Sequence, residues 1–395
     1  MHSLTYALRW LFICLGIGIV SGSASALFLL SLENVDSIRN EYPYFIYGLP
    51  IVGAAIAISY HYWGKTFENG NNLVIENIQA PSQTISYLLA PFIFVATLLS
   101  HLVGASVGRE GTAIQMSASL NDTLFKFLKL NTEERSILLI AAVSAGFSAV
   151  FGTPLAGAVF ALEFYLIGKL HQQAILPAFM SAFAAHFICN LFPITHTHYI
   201  VSEVPNFSVT LLLQVILAGV AFGVTAWLFV HSMHYGQALL KKIFSNAVLK
   251  TFLGGLVLLI LYLSFPLQAF WGLGIESIQA SFSQASEFHF FLFKLILTVF
   301  ALSVGFKGGE VTPLFFIGAT LGSALSIFIP LPISLLAAMG FVAVFAGSTN
   351  TPLACCVMAF ELFGSAGLMY TSLACLVSFL VSGRKSIYAS QKWAL

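Results

Sequence analysis

Six of the fifteen carboxylates in this sequence fall into three matched pairs. Glu76 and Glu276 sit in IENIQA and IESIQA, and Glu110 and Glu310 in GREGT and GGEVT, both at a spacing of 200 residues. Glu163 and Glu361 end TPLAGAVFALE and TPLACCVMAFE, at a spacing of 198. GFSAVF at 146–151 also returns as GFVAVF at 340–345. One such match is chance-level; four in the same order mark an internal duplication. Glu110 and Glu310 each stand between a glycine-containing break and an apolar run, where a helix begins. Unpaired N–H groups and the helix dipole make such a start an anion site. A carboxylate there can fill the site itself, and once protonated it can yield the site to a free anion. One side chain could thus exchange an anion for a proton. Glu110 is the first choice for that gate and Glu310 for a second carboxylate in the ion path. The repetition of Glu163 and Glu361 points instead to capping or packing.

The elements that must hold these groups are apolar. Only 31 of 395 residues are Asp, Glu, Lys or Arg, about a third of the share in soluble domains, and 58% are hydrophobic. So few charges cannot cover a soluble fold of this size, and a net charge of +1 offers nothing to a polyanion. A soluble enzyme, a disordered chain and a nucleic-acid binder are excluded. Apolar windows near 5–31, 44–60, 86–106, 136–166, 172–192, 209–234, 251–271, 288–305, 312–347 and 353–381 predict a polytopic all-α membrane protein. Long runs without ten-residue alternation argue against a barrel. Gly and Pro interrupt several windows, at Gly104, Gly108, Gly152-Thr153-Pro154, Gly308-Gly309 and Pro352. Broken backbone at membrane depth survives only when buried in protein or lining a cavity, so the breaks mark a pathway. Several windows are too long for one helix and are expected to hold two.

Basic loops containing Lys126, Lys129 and Arg135, then Lys241, Lys242 and Lys250, then Arg384, Lys385 and Lys392, are expected on the cytoplasmic side. The acidic stretch 33–43 is expected as an outer loop. Arg9 and the small residues at 21–26 imitate a signal peptide, but the apolar run continues through Leu32, which predicts a first membrane helix. No soluble regulatory domain is expected after the last apolar run. The five cysteines show no CxxC spacing and read as small buried hydrophobes, and His196 and His198 as residues of a surface loop. An intramembrane enzyme built on Glu110 or this HxH would not need duplicated helix starts, so an enzyme is not expected.

These motifs resemble those of the CLC family of chloride channels and anion/proton antiporters, over nearly the whole chain. GREG (108–111) is similar to the family's GxEGP signature, and GGEVTP (308–313) stands in the place of GxFxP. Gly152 to Glu163 resembles a family helix segment ending in glutamate, and Tyr388 resembles a C-terminal tyrosine that contacts the central anion. The resemblance implies about eighteen tilted helices in two inverted repeats, 1–200 and 201–395, forming one membrane domain. It also implies a homodimer with one pathway per subunit.

The departures carry information. Chloride-selective members have GSGIP where this chain has Gly70-Asn71-Asn72-Leu73-Val74, so Asn71 stands in place of an anion-contacting Ser. Thr112 replaces Pro in GREGP, and Glu310 and Thr312 alter GxFxP. Together these changes resemble the fluoride/proton antiporter branch. The implied function is export of fluoride in exchange for protons across a bacterial inner membrane; the alternative is a chloride/proton antiporter or chloride channel of the same fold. Fluoride leaves water at high cost and needs replacement donors. The implied anion-binding set is Asn71, Thr112, Thr312, Val311, Tyr388, Gly108 and Arg109. An inner proton-transfer Glu of chloride antiporters is here Phe164, so the inner proton route must differ. The branch further implies a structural sodium ion, with oxygen ligands near Thr312, Gly272 and Gly274.

Overall fold

The computed structural model describes residues 2–81 and 84–394, with side chains from residue 6 onward. Sixteen α-helices are formed among them. The first half contains α1 (His2–Glu41), α2 (Leu49–Trp63), α3 (Asn71–Gln79), α4 (Leu89–Leu102), α5 (Glu110–Leu124), α6 (Thr132–Phe151), α7 (Pro154–Glu163) and α8 (Ile175–Cys189). The second contains α9 (Val209–Ile243), α10 (Ala247–Ser264), α11 (Ile275–Ala280), α12 (His289–Val304), α13 (Val311–Leu325), α14 (Ile333–Thr349), α15 (Pro352–Phe363) and α16 (Leu368–Ser382). A two-residue parallel pairing of β1 (Leu166–Ile167) with β2 (Lys392–Trp393) ties the C-terminal segment to the end of α7.

Six of these helical stretches are long and apolar enough to cross a membrane. The others are shorter than the roughly 20 residues a span requires, because the chain breaks inside the protein. The two longest windows divide as expected, 136–166 into α6 and α7, and 312–347 into α13 and α14.

Local chemistry sets the boundaries. Asn131 and Glu134 form a reciprocal cap at the start of α6: Glu134 N–H donates to Asn131 Oδ1 at 2.9 Å and Asn131 N–H to Glu134 Oε2 at 3.0 Å. Helix α6 stops at Gly152 and α14 at Asn350, both left-handed, and a proline then starts the next helix in each repeat. These two helices form the centre, with nearly every side chain buried. The acidic stretch 33–43 departs from expectation. It continues α1 to Glu41, because Asp36 pairs with Arg39 at 2.8 Å one turn on and the guanidinium packs inward against the His101 carbonyl.

Candidate functional site

The two repeats meet at backbone. Gly108 N–H donates to the Gly309 carbonyl at 2.5 Å, and Gly309 N–H to the Gly108 carbonyl at 2.7 Å, as an antiparallel bridge. Only glycine permits this approach: a methyl on Gly108 would lie 2.8 Å from Gly309 O and 2.9 Å from Pro313 Cδ. Gly108 therefore serves the junction rather than a side-chain contact. The bridge fixes the starts of α5 and α13 side by side.

Glu110 opens α5 and is 0% exposed. Its carboxylate crosses to the first turn of α13. The Thr312 N–H donates to Oε2 at 3.1 Å, and the Thr312 hydroxyl spans both oxygens at 2.6 and 2.7 Å. Arg109 N–H adds a contact of 3.3 Å, and Arg109 Nε lies 3.6 Å from Oε1. The carboxylate thus occupies an anion site made by the α13 start, where Val311 is the buried first residue.

Two cavities flank this point and share no lining residue. One of about 240 Å³ is lined by Glu33, Asp36, Arg109, Thr195, His196 and Leu273 among others. The other, about 550 Å³, is lined by Asn71, Gln115, Lys250, Lys307, Glu310 and Tyr388 among others. Acids at the first and lysines at the second match an outer and an inner mouth.

Five residues lining the inner cavity carry a buried polar atom without a hydrogen-bond partner: Tyr60 Oη, Asn71 Oδ1, Ser303 Oγ, Glu310 Oε2 and Tyr388 Oη. Such orphans in a polar cavity are what a small hydrated ion or water would satisfy. Phe164 packs edge-on against Tyr388, with ring centroids 4.9 Å apart, and steadies the phenol.

Other assignments change. The Thr112 hydroxyl pairs with Thr97 at 2.7 Å across α4 and α5, a buried hydroxyl satisfied by its neighbour. It supports the helix rather than facing the gate. The starts of α7 and α15 do not serve an anion either. Glu361 accepts from Leu155 and Ala156 N–H at 2.8 and 2.7 Å, while Glu163 accepts from Leu353 and Ala354 N–H at 3.3 and 2.8 Å. Each repeat caps the other's helix, which is the capping role their repetition pointed to.

The three oxygens expected around sodium do not fit a metal site. The Thr312 hydroxyl is committed to Glu110. The Gly274 carbonyl accepts the Ile278 N–H at 3.2 Å in the first turn of α11. The Gly272 carbonyl accepts from the Lys294 ammonium at 2.6 Å, so a cationic group already stands where the ion would bind.

Sequence reasoning passed over Gln115, Lys307 and Lys294. Gln115 lies on α5, near enough that a methyl on Gly70 would meet its amide at 3.2 Å. Lys307 covers the Tyr60 ring at 4.2 Å. For Gln115 and Lys307 the signal available was rarity: each is a polar residue beside a repeated motif in an apolar chain. His196 leans over Gly152 and stacks at 5.9 Å from His186. Burial, with the positive charge of Arg109, pushes its imidazole down to about 4.

Comparisons with known proteins agree with this architecture. The family model described as voltage gated chloride channel matches residues 52–383. A chloride/fluoride channel protein of Pseudomonas syringae pv. tomato is 42% identical, over 98% of this chain and 87% of that one. The crystal structure of a CLC-type fluoride/proton antiporter superposes with a TM-score of 0.95 at 33% identity, covering 98% of both chains. A slow cyanobacterial Cl⁻/H⁺ antiporter shares the fold, with a TM-score of 0.83 at 20% identity over 96% of each chain. With the family model matching most of its length and a relative 42% identical, this chain belongs to the CLC family of anion-transporting proteins and is a multi-pass protein of the cell membrane.

Proposed function

We propose that the protein exports fluoride in exchange for protons, with Glu110 as the proton-coupled gate and Glu310 as the inner carboxylate. The observation that carries this reading is the seat of the Glu110 carboxylate on the Thr312 donors between two separate cavities. A carboxylate held by N–H and O–H donors is a tethered anion. Protonation removes its charge and weakens its hold on those donors, since hydrogen bonds to ionised groups are the strong ones. An incoming anion then takes the place, and loss of the proton drives the carboxylate back. An intramembrane carboxylate commonly belongs to such a relay.

Glu310 faces the inner cavity with Asn71 and Tyr388, where Phe164 leaves no carboxylate of its own. It supplies a proton-accepting group on that side. The Asn71 amide and Tyr388 hydroxyl offer donors to a small anion shedding water. The bacterial relative and the fluoride/proton antiporter support this branch, and the setting we infer for it is a bacterial inner membrane. The apolar outer face around Leu155, Val159, Val357 and Phe360 is where a second copy would dock to form the homodimer.

Reconstituted protein should move fluoride out of liposomes with an opposed proton flux. Comparable chloride and fluoride rates would instead favour the chloride reading, in keeping with the description of the Pseudomonas relative as a chloride/fluoride channel protein. Glu110→Gln should abolish proton movement; proton-coupled flux at the wild-type rate would overturn the gate assignment.

A further inference from the structure

Lys294 on α12 is 0% exposed in an apolar chain, and its partners are not carboxylates. Its ammonium donates to the Gly272 carbonyl at 2.6 Å and to the Phe270 carbonyl at 3.1 Å. It also lies 5.1 Å from the centroid of the Phe316 ring. Two carbonyls and an aromatic face serve its three donors, a complete site for a compact cation. The carbonyls belong to a tight turn: Gly272 has φ +52°, and a methyl there would sit 2.6 Å from Arg39 Nη1 and 3.1 Å from His101 Nδ1. Phe316 lies one helical turn after Thr312, the residue that holds Glu110. The ammonium therefore joins the 270–272 turn, α12 and α13 behind the gate.

We propose that Lys294 is a tethered cation occupying the place a bridging sodium ion would need, so that neither the fold nor transport requires sodium. A metal ion at the Gly272 carbonyl would have to share that oxygen with an ammonium at 2.6 Å, against like-charge repulsion in a low-dielectric interior. Lys294 is thus a positioning residue for the α13 start, whichever anion is carried.

The test uses the purified full chain, measured for thermal midpoint in detergent and for anion efflux from liposomes. Both should be unchanged when N-methyl-glucamine replaces sodium; a fall in either without sodium overturns the proposal. Lys294→Ala leaves two buried carbonyls without a donor and should lower the midpoint and slow efflux by about tenfold. Added ammonium, methylammonium or sodium should restore part of both. Wild-type behaviour of K294A without any cation, or failure of all three cations to restore it, overturns the assignment. Should K294A not assemble, the charge-keeping K294R is expected to retain efflux and the neutral K294M to lose it. Equal efflux from those two variants refutes the tethered cation.

Discussion

Glu110 is held at 2.6–3.3 Å by the Thr312 hydroxyl, the Thr312 N–H and the Arg109 N–H, and the donors come from both repeats. Removing the Thr312 hydroxyl should therefore disturb the gate without emptying the site, since the backbone donor stays. Thr312→Val is expected to slow proton-coupled flux by about tenfold, the worth of one hydrogen bond to a charged group; a rate equal to wild type would show that the hydroxyl does not hold the gate. Glu310→Gln should spare binding of the anion and reduce proton movement, read as altered coupling in paired pH and fluoride electrode traces. Much of this site was legible. Glu110, Glu310, Asn71 and Tyr388 stood out because charged and polar residues are scarce here, and a repeated carboxylate beside glycine is rarer still. Thr112 was misplaced because a threonine beside a motif looks the same whether its hydroxyl turns to the ion or to Thr97 on the next helix. Lys294 was missed because its partners are main-chain carbonyls, which leave no mark on side-chain spacing.

At the scale of elements, the break inside the 136–166 window was readable from Gly152-Thr153-Pro154, since a left-handed residue followed by proline both ends one helix and starts another, and Pro352 marks the same change from α14 to α15. The extension of α1 through 33–41 was not, because the polar face of a helix and a polar loop share a composition. Only the Asp36–Arg39 pairing distinguishes them. The caps on α7 and α15 give a direct measurement. Glu361→Ala strands the Leu155 and Ala156 N–H groups and should destabilise the protein by about 2–3 kcal/mol, with Glu361→Gln losing less. Thermal midpoints of the two variants check the order. The outer loop around His196 makes stability depend on pH. Its imidazole, ordinarily near 6.5 and here about 4, must stay neutral to remain packed. Its contribution is full above pH 6.5 and drains away as pH falls toward 4. His196→Gln should flatten that part of the midpoint-versus-pH curve.

For the whole molecule, two glycines carry the junction. A methyl on Gly108 would press on Gly309 O and Pro313, and one on Gly309 would lie 2.8 Å from Gly111 N. Gly108→Ala or Gly309→Ala should cost about 3 kcal/mol or prevent folding, visible as loss of the monodisperse peak in size-exclusion chromatography. Duplication was legible as four matched segments, yet how the halves touch was not: the bridge runs through backbone, and sequence identity between the repeats says nothing about which atoms of one face the other.

The reciprocal caps of Glu163 and Glu361 have a consequence for synthesis. The start of α7 enters the membrane some two hundred residues before the carboxylate that closes it has been made. Until residue 361 arrives, two main-chain donors of the first half wait unsatisfied, and the second half in turn needs Glu163. Neither half can reach its finished form alone, so chains 1–200 and 201–395 made separately should accumulate only when produced in the same cell.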